Sequence, residues 1–446
     1  MRCAYGVRCS AWIIHYGLLT LIARGFAMTL HFSNLASRFV GQTGTRLLMD
    51  DLGEVLESDR DICNLGGGNP ARIPAMQDIF REAMRAQLDD GSFDRLSSAY
   101  DGPQGYRPFL RAVADLFRTR FGWQISDDNV AVTAGSQSSF FILFNLLTGT
   151  CADGRDRHLR LPMTPEYIGY GDLTAVPEAV QSSRPHIEML DEHSFKYHID
   201  FSELHLGEDT GAVCVSRPTN PTGNVISNAE LHTLLDMTRA ADVPLIIDNA
   251  YGAPFPDIMF SAGEPVYDEH VIYCMSLSKL GLPGLRTGIV IARAEIIEAV
   301  RSFNAILTLS SSSLGASLVT PLFESGEVLR LARDVVRPFY LERVTQAVAW
   351  CHRYLAGCPF RIHVPEGAIF LWLWFEDLPI TAQALYTRLK QRNVLVIPGQ
   401  FFFPGLHQDW PHKDQCLRIS YAQSAREVEQ GIAIIAEEVR RAYQQG

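Results

Sequence analysis

Lys279 follows an apolar run of the sequence, at a position where an amine could do chemistry. It lies in Ser276-Leu-Ser-Lys-Leu-Gly-Leu-Pro-Gly-Leu-Arg-Thr-Gly, directly after Val271-Ile-Tyr-Cys-Met. A lysine amine can form a Schiff base with a carbonyl compound, and Ser276, Ser278 and Arg286 close by suit a phosphate dianion. The competing interpretation is a surface lysine in a turn. We favour the chemical role because residues in loops at the ends of strands often carry function.

Asp248 ends a second apolar run, Pro244-Leu-Ile-Ile-Asp, and Tyr251 follows shortly after it. An aspartate beside buried apolar residues needs a cationic partner. A protonated pyridine nitrogen would be one, and pyridoxal phosphate chemistry requires that nitrogen to stay protonated as an electron sink. Aspartate is also a common helix N-cap, so this residue alone leaves both interpretations open.

Asn220 lies in the turn Ser216-Arg-Pro-Thr-Asn-Pro-Thr-Gly, which closes a third apolar run. The Asn-Pro pair is a turn signal, and the segment could be no more than that. In the functional interpretation, the Asn220 amide donates to a phenolic oxygen of the cofactor. Donors to that oxygen from Asn220 and Tyr251 would lower the pKa of the Schiff base.

The segment Thr133-Ala-Gly-Ser-Gln-Ser-Ser-Phe joins a β-rich run to a helical one. Free N–H groups at the start of a helix bind phosphate well. The segment matches neither G-x-G-x-x-G nor a P-loop, so it indicates neither a dinucleotide nor a nucleoside triphosphate. A plain strand–helix turn is the competing interpretation.

Arg418 lies among apolar residues in Cys416-Leu-Arg-Ile-Ser-Tyr, which reads as a strand. A buried arginine is costly unless it is paired. Its fork of donors matches an α-carboxylate, and one charge-assisted hydrogen bond contributes about 1.5–3 kcal/mol. A structural ion pair would satisfy the same residue.

The elements that must position these side chains alternate along the chain from about residue 129. Short apolar runs of β-rich composition are followed by stretches with helical spacing, such as Asn228-Ala-Glu-Leu-His-Thr-Leu-Leu, which Ser227 or Asn228 could cap. This alternation predicts an α/β fold with a mainly parallel sheet covered by helices on both faces. Ligands bind at the carboxyl ends of strands in such sheets. We therefore expect the five motifs described above to lie around one ligand site.

Composition limits the possible partners, cellular compartments and metal sites of the protein. The chain has 446 residues, which suggests two or three domains, and a net charge of −11, which argues against a nucleic-acid partner. Nine cysteines without C-x-x-C spacing read as reduced, buried thiols, as expected in the cytoplasm. The 13 histidines never form H-x-x-x-H, so no metal site is predicted.

Changes in composition and in the predicted helices and strands along the chain indicate its domain organisation. Residues 1–27 contain three arginines, no acidic residue and a short apolar stretch; we interpret them as an unused upstream start or a leader outside the fold. An N-terminal arm over 28–75, which packs on the small domain, precedes a large cofactor-binding domain over 76–328. A smaller α+β domain follows over 329–446, with a long helix at 328–355 and strands at 370–375, 394–397 and 416–421.

With these motifs in this order, the chain resembles the pyridoxal-phosphate-dependent aminotransferases of class I/II, which have fold type I. The longer segments are most similar to the valine–pyruvate aminotransferases of that family. Beyond the motifs above, the similar segments are Leu65-Gly-Gly-Gly-Asn-Pro, Tyr100-Asp-Gly-Pro-Gln-Gly, Pro165-Glu-Tyr-Ile-Gly-Tyr, Ile247-Asp-Asn-Ala-Tyr-Gly and Pro365-Glu-Gly-Ala-Ile-Phe-Leu-Trp-Leu-Trp-Phe.

The resemblance implies a role for each matching residue. Lys279 would bind pyridoxal 5'-phosphate covalently, Asp248 would pair with its ring nitrogen, and Tyr167 would stack on the ring. Asn220 and Tyr251 would bind the phenolic oxygen, and Arg418 would bind the substrate carboxylate with Asn220 and Gly68. The residues implied to hold the phosphate are Gly135, Ser136, Gln137, Ser276, Ser278 and Arg286, with Tyr100 contributed by the partner subunit of a homodimer. Arg286 lies seven residues after Lys279, one fewer than in the commonest class I pattern.

The implied activity is transamination by a ping-pong mechanism between a small aliphatic amino acid, valine or alanine, and a 2-oxo acid, pyruvate or 2-oxoisovalerate. Ile168, Ala71 and residues 401–403 would line the side-chain pocket.

Two alternative functions remain open at this point. One is another activity of the same scaffold, such as a β-lyase, a decarboxylase or a broad-specificity aminotransferase. The other is a regulator with an aminotransferase-like domain, which would need a DNA-binding module that we do not find in the sequence.

Overall fold

The computed structural model describes residues 32–40, 43–46, 49–50, 53 and 61–445. The predicted leader over 1–27 lies outside the described residues, as do parts of the predicted arm. The described residues fall into two units on either side of residue 41. The first holds the short helix α1 (Asn34–Phe39), and the second holds every other element described below.

Strands of the second unit form three sheets. In chain order the strands are β1 (Cys63–Asn64), β2 (Val130–Thr133), β3 (Gly149–Thr150), β4 (Asp156–Leu161), β5 (Val180–Ser182), β6 (His186–Met189), β7 (Ser194–His198), β8 (Thr210–Ser216), β9 (Leu245–Asp248), β10 (Val271–Ser276), β11 (Gly288–Ile291), β12 (Arg361–His363), β13 (Phe370–Trp374), β14 (Val394–Leu395), β15 (Ile397–Pro398) and β16 (Cys416–Ser420).

The large sheet confirms the predicted α/β fold with a mainly parallel sheet of the seven-stranded type. Its order is β2-β11-β10-β9-β8-β4, and β5 and the two-residue strand β3 both pair with β4. The pairs β10–β9, β9–β8, β8–β4 and β4–β5 are parallel. Only β11 and β3 among these strands run antiparallel to their neighbours.

Apolar residues bury both faces of this sheet. Every residue of β2, β8, β9, β10 and β11 is buried, which explains why these runs are continuously apolar rather than alternating. Successive residues of β9 illustrate the two faces, since Leu245 and Ile247 belong to one apolar cluster and Ile246 to the other. Each such side chain contributes about 1.5–3 kcal/mol on burial.

Helices connect and cover the strands. They are α2 (Pro74–Asp89), α3 (Ser92–Ser98), α4 (Arg107–Phe121), α5 (Ser136–Leu147), α6 (Asn228–Ala240), α7 (Ala294–Leu307), α8 (Ser313–Glu324), α9 (Glu327–Leu331), α10 (Arg337–Tyr354), α11 (Ala382–Gln391) and α12 (Ala425–Gln445). Ser227 caps α6 in a reciprocal pair with Glu230. The helix expected over 328–355 is interrupted by a π-turn at Ala332–Val336, just before Pro338 at the start of α10.

The second large sheet crosses the domain boundary that the sequence suggests. Its order is β15-β16-β13-β12-β7-β6, so the hairpin β6–β7 from the middle of the chain pairs with C-terminal strands through β7 and β12. The strand predicted over 394–397 is two short strands, because the backbone leaves its pairing with β1 at Leu395 and pairs with β16 from Ile397. The domain boundaries themselves stay a prediction.

Polar residues end several neighbouring strands at the same edge of the large sheet. Ser216 is directly opposite Asp248 in the β8–β9 pair, and Asp248 is opposite Cys274 in the β9–β10 pair. Gly288, the first residue of antiparallel β11, is opposite both Ser276 and Thr133. The sheet register therefore collects the chemically useful residues along its carboxyl edge.

Candidate active site

One cleft in the second unit contains most of the residues singled out by the sequence. The predicted site residues that line it are Gly68, Ser136, Gln137, Tyr167, Asn220, Asp248, Tyr251, Ser276, Ser278, Lys279, Arg286 and Arg418. Gly135 lies next to it, in contact with Arg286. Tyr100 does not line the cleft and is 83% exposed, so its predicted role across a subunit boundary stays a prediction.

Lys279 lies three residues beyond the end of β10, with its amine inside the cleft. Its Nζ donates a hydrogen bond to the Gly68 carbonyl at 2.5 Å and is 5.3 Å from the centre of the Tyr251 ring. Burial lowers the pKa of Lys279 to about 8, and the positive charges of Arg418 and Arg286 act in the same direction. Near neutral pH, a larger fraction of this amine is unprotonated than of an exposed lysine, and the unprotonated form is the one that acts as a nucleophile or accepts a proton.

Asp248 ends β9 with its carboxylate at the floor of the cleft, and the residue is 9% exposed. Its Oδ2 accepts a hydrogen bond from Tyr170 Oη at 2.8 Å, and its Oδ1 accepts one from the Ala250 N–H at 3.0 Å. No helix follows it, so the helix-cap interpretation does not apply. Burial raises the pKa of Asp248 to about 6, and the hydrogen bonds from Tyr170 and Ala250 and the positive charge of Lys279 oppose the rise.

A candidate anion site lies where β2 and β10 end and the antiparallel strand β11 begins. Helix α5 begins at Ser136, so its first N–H groups have no carbonyl partner within the helix. Ser276 Oγ donates to Ser278 Oγ at 2.9 Å beside them. Gly135 has a φ of 89°, and a Cβ atom there would be 2.3 Å from Arg286 Nη2. The glycine therefore makes room for the arginine beside the helix start.

Arg418 lies in β16 and is only 1% exposed. Its Nη1 donates to Asn220 Oδ1 at 2.9 Å, and its Nη2 donates to the Gly66 carbonyl. Its buried Nε has no hydrogen-bond partner, and among the described residues no carboxylate lies within the 4.0 Å of an ion pair. Burial lowers its pKa to about 10. The structural ion pair is therefore not formed, and the guanidinium is available to bind a carboxylate from outside the chain.

Aromatic rings shape the cleft around these charges. The Arg418 guanidinium lies 4.1 Å from the Phe370 ring centre and 5.1 Å from that of Phe402. Tyr167 donates from its hydroxyl to Gln137 Oε1 at 3.0 Å, which fixes the ring in the wall of the cleft. Gln137 is thus committed through its side-chain oxygen to Tyr167, whereas its side-chain nitrogen could still face an anion.

The residues predicted to line the pocket for the substrate side chain lie in two places. Ala71 lines the cleft, and its N–H donates to the buried Tyr340 hydroxyl at 2.9 Å. Ile168 and residues 401–403 do not line it. A Cβ atom added to Gly44 would nevertheless meet both Phe401 and Ile168 at about 3 Å. Phe401 and Ile168 therefore lie close to Gly44, and the next residue, Thr45, lines the cleft.

Sequence reasoning gave no role to three polar residues behind Asp248. Tyr170 donates directly to Asp248, Ser216 lies 3.1 Å from the Tyr170 hydroxyl, and Glu166 binds Ser216. Two of them, Glu166 and Tyr170, lie in the motif Pro165-Glu-Tyr-Ile-Gly-Tyr, in which only Tyr167 and Ile168 had been assigned roles. An acidic residue between proline and aromatic residues was the available signal, because such a residue is rarely buried without a purpose.

The donors of the cleft fit pyridoxal 5'-phosphate, the cofactor that the resemblance implies. The helix start, two serine hydroxyls and Arg286 would hold a phosphate, and the space left by Gly135 lets the arginine approach. Asp248 is a buried carboxylate that forms no ion pair with any described residue, which suits a protonated ring nitrogen. Lys279 supplies the amine that the aldehyde requires.

Comparison with known proteins agrees with this geometry. The model of the family "Aminotransferase class I and II" matches residues 60–435. The chain is 48% identical to valine–pyruvate aminotransferase of Escherichia coli (strain K12), over 92% of this chain and 99% of that protein. It is 47% identical to the crystal structure of valine-pyruvate aminotransferase AvtA from Salmonella typhimurium LT2, with a TM-score of 0.83 over 90% of this chain and 100% of that one.

A more distant structure extends the similarity of the fold. LysN, the α-aminoadipate aminotransferase of Thermus thermophilus, was solved in complex with N-(5'-phosphopyridoxyl)-L-leucine. It shares the fold with a TM-score of 0.74 at 21% identity, over 93% of this chain and 98% of that one. From the family match and the close relatives together, the chain belongs to the aminotransferases of class I and II, whose cofactor is pyridoxal 5'-phosphate.

Proposed function

We propose that this aminotransferase exchanges the amino group between valine or alanine and the 2-oxo acids pyruvate or 2-oxoisovalerate. The observation that carries the proposal is the convergence of Lys279, Asp248 and Arg418 on one cleft, in a chain 48% identical to a valine–pyruvate aminotransferase. These groups supply a nucleophilic amine, a partner for a ring nitrogen and a receptor for a carboxylate. Each of the site roles below is part of the proposal.

The reaction takes place in two half-reactions, as in a ping-pong mechanism. Arg418 binds the carboxylate of the amino acid and orients its Cα–H bond toward Lys279. When bound, pyridoxal phosphate acts as an electron sink for the negative charge that develops at that carbon. Lys279 Nζ then removes the Cα proton and carries it across the site, which its lowered pKa of about 8 favours near neutral pH. The same residues act in the reverse order on the incoming 2-oxo acid.

The remaining residues would hold the cofactor in position relative to Lys279 and Arg418. Asp248 would keep the ring nitrogen protonated, and Tyr167, fixed by Gln137, would pack against the ring. Asn220 and Tyr251 would donate to the phenolic oxygen. The residues that would hold the phosphate are Ser136, Gln137, Ser276, Ser278, Arg286 and the backbone at Gly135. The Gly68 carbonyl, which accepts a hydrogen bond from Lys279 Nζ, orients the amine before the cofactor binds.

Apolar side chains in and near the cleft bear on the substrate side chain. Ala71 in the cleft, and Ile168 and Phe401 near Gly44, are apolar, which suits a small aliphatic side chain. A single methylene group changes the discrimination by only about 1–3 kcal/mol. We therefore expect valine to be the best amino donor tested, with measurable activity on its close homologues.

We further propose a homodimer with shared active sites. Tyr100, Ile306 and Leu309 are 83%, 86% and 63% exposed, although all three are large apolar side chains. Their segments are tied together, because Asn304 Nδ2 donates to the Pro103 carbonyl at 2.9 Å. A second copy of the chain would cover this surface and bring Tyr100 to the neighbouring phosphate site.

The cellular setting is also part of the proposal. Among the described residues, no helix has both the length and the apolar character needed to cross a bilayer. Seven free cysteines in the same part of the chain suit a reducing compartment. We therefore propose a cytoplasmic enzyme of amino-acid biosynthesis.

A stoichiometric product assay tests the proposed activity. With valine and pyruvate, the holoenzyme should form alanine and 2-oxoisovalerate in equal amounts, with parallel lines in double-reciprocal plots. A β-lyase would instead release ammonia, and a decarboxylase would release carbon dioxide. Lys279→Ala should abolish turnover, whereas the matched variant Lys413→Ala, at a lysine outside the cleft, should keep it. Normal transamination by Lys279→Ala would refute the assignment.

A further inference from the structure

A second buried carboxyl group lies behind Asp248. Glu166 is 0% exposed and belongs to the loop between β4 and β5. Its Oε1 accepts a hydrogen bond from the Ser216 N–H at 2.8 Å, and its Oε2 lies 2.5 Å from Ser216 Oγ. Glu166 does not line the cleft, so any effect on the reaction must pass through other residues.

Four oxygen atoms connect Glu166 to Asp248 in a continuous row. Glu166 Oε2 is 2.5 Å from Ser216 Oγ, Ser216 Oγ is 3.1 Å from Tyr170 Oη, and Tyr170 Oη is 2.8 Å from Asp248 Oδ2. All four residues are buried. Buried oxygen atoms at these distances are expected to have a proton between each pair.

Counting protons shows that the two hydroxyl groups cannot supply the whole row. There are three contacts, and Ser216 and Tyr170 contribute one proton each. If both carboxyl groups were ionised, Ser216 would donate to Glu166 and Tyr170 to Asp248. The two hydroxyl oxygens would then face each other without a proton. The third proton must therefore sit on a carboxyl group, and Glu166 is the one that has no cofactor to face.

We propose that Glu166 is a neutral carboxylic acid and a positioning residue, whose proton completes a one-directional hydrogen-bond chain through Ser216 and Tyr170 to Asp248. Each donor in such a chain is strengthened by the one behind it. The Tyr170 hydroxyl is thereby made a stronger donor to Asp248, which holds Asp248 as a carboxylate and limits how far it draws the proton from the ring nitrogen. The inference rests on the proposed function, in which Asp248 faces that nitrogen.

The groups around Glu166 favour its neutral form. Burial raises the pKa of Glu166 to about 8; the negative charge of Asp248 raises it further, and the hydrogen bonds from the backbone N–H groups of Ser216 and Tyr167 oppose the rise. Cys214 and Tyr170 also face it, and burial raises the pKa of each well above its ordinary value, so neither adds a charge. Two carboxyl groups in one buried region do not both ionise easily.

Infrared spectroscopy of the holoenzyme tests the protonation state directly. Near neutral pH, the wild type should show the carbonyl stretching band of a protonated carboxylic acid, identified by its shift in D2O. Glu166→Gln should remove the band, and Asp248→Asn should retain it, because the proton belongs to Glu166. Absence of the band from the wild type, or its persistence in Glu166→Gln, would overturn the proposal.

A pH titration of the bound cofactor's absorption tests whether the chain reaches Asp248. Glu166→Gln keeps a donor in the same position, so the midpoint should stay within about 0.1 pH units of the wild type. Ser216→Ala and Glu166→Leu break the chain. Tyr170 still donates to Asp248 but loses the cooperative strengthening, so Asp248 becomes more basic and draws the ring proton toward itself. The midpoint should then rise by a few tenths of a pH unit.

The outcomes separate this inference from the proposed function. A midpoint shift in Glu166→Gln as large as in Ser216→Ala would refute the neutral acid. An unchanged midpoint in Ser216→Ala would refute the chain, and this variant removes only one hydroxyl, so it should fold even if Glu166→Leu does not. If Asp248→Asn binds the cofactor and turns over normally, the assignment of Asp248 fails instead, and the infrared result on Glu166 still stands.

Discussion

Replacing Arg418 by lysine should show whether the buried guanidinium recognises the substrate carboxylate. Arg418→Lys keeps the positive charge and much of the side-chain volume, but it removes the planar fork of donors. Two of those donors are already used, by Asn220 Oδ1 at 2.9 Å and by the Gly66 carbonyl. The unpaired Nε and the remaining Nη hydrogens are what the substrate would use.

The size of the effect follows from the number of hydrogen bonds lost. A lysine can offer one charge-assisted bond to the carboxylate where the arginine fork offers two. The loss of one such bond costs about 1.5–3 kcal/mol, which corresponds to a decrease of roughly 10- to 150-fold in kcat/KM. Lysine also leaves Asn220 or Gly66 without its donor, but that cost is the same for every substrate.

Single-turnover kinetics with valine and isobutylamine isolate the carboxylate contribution. Isobutylamine has the side chain and amine of valine but no carboxylate, so it does not use the fork. The ratio of the valine rate constant to the isobutylamine rate constant should fall by roughly 10- to 150-fold in Arg418→Lys. A variant that slows both substrates equally would show that Arg418 has only a structural role.

Three further predictions concern the cofactor and its partners. In the cofactor-free protein, the rate at which Lys279 captures added pyridoxal phosphate should rise with pH up to about 8 and then level off, followed by absorbance; a rise that continues to 10.5 would contradict the lowered pKa. Gly135→Ala should weaken cofactor binding, because its Cβ would lie 2.3 Å from Arg286 Nη2, whereas the matched variant Gly154→Ala, at a similar φ of 79° but with open space around it, should bind normally in a fluorescence titration. Asp248 binds more protons in the folded state than in the unfolded one between pH 3.8 and about 6, so the stability of the cofactor-free wild type relative to Asp248→Asn should fall as pH rises through that range. Above that range Asp248→Asn should be more stable than the wild type, by ~3 kcal/mol at most in urea unfolding, and an equal or lower stability would contradict the raised pKa.

Much of the site was predictable because its residues end strands. Asp248 and Ser276 are the last residues of buried parallel strands, and Lys279 follows one of them. In an α/β sheet, this position alone brings such side chains to one edge. Arg418 was predictable for a different reason, since an arginine within an apolar strand requires an anion.

The features of the fold and site that could not be predicted from the sequence depend on loops and on pairing between strands that are distant along the chain. The row behind Asp248 joins Ser216 at the end of β8 to Glu166 and Tyr170 in a loop, and no spacing rule relates them. The hairpin β6–β7 has no signal that would assign it to the second sheet, because its partner β12 lies far along the chain. The break at Val396 arises where the backbone passes from one sheet to another.

The covalent attachment of the cofactor gives the most direct test of the central claim. The chain contains four lysines, at positions 196, 279, 390 and 413. After borohydride reduction of the holoenzyme and proteolysis, mass spectrometry should find the phosphopyridoxyl group on Lys279 alone. Attachment to Lys196, Lys390 or Lys413, or no attachment in a protein that shows the absorption of bound cofactor, would contradict the account.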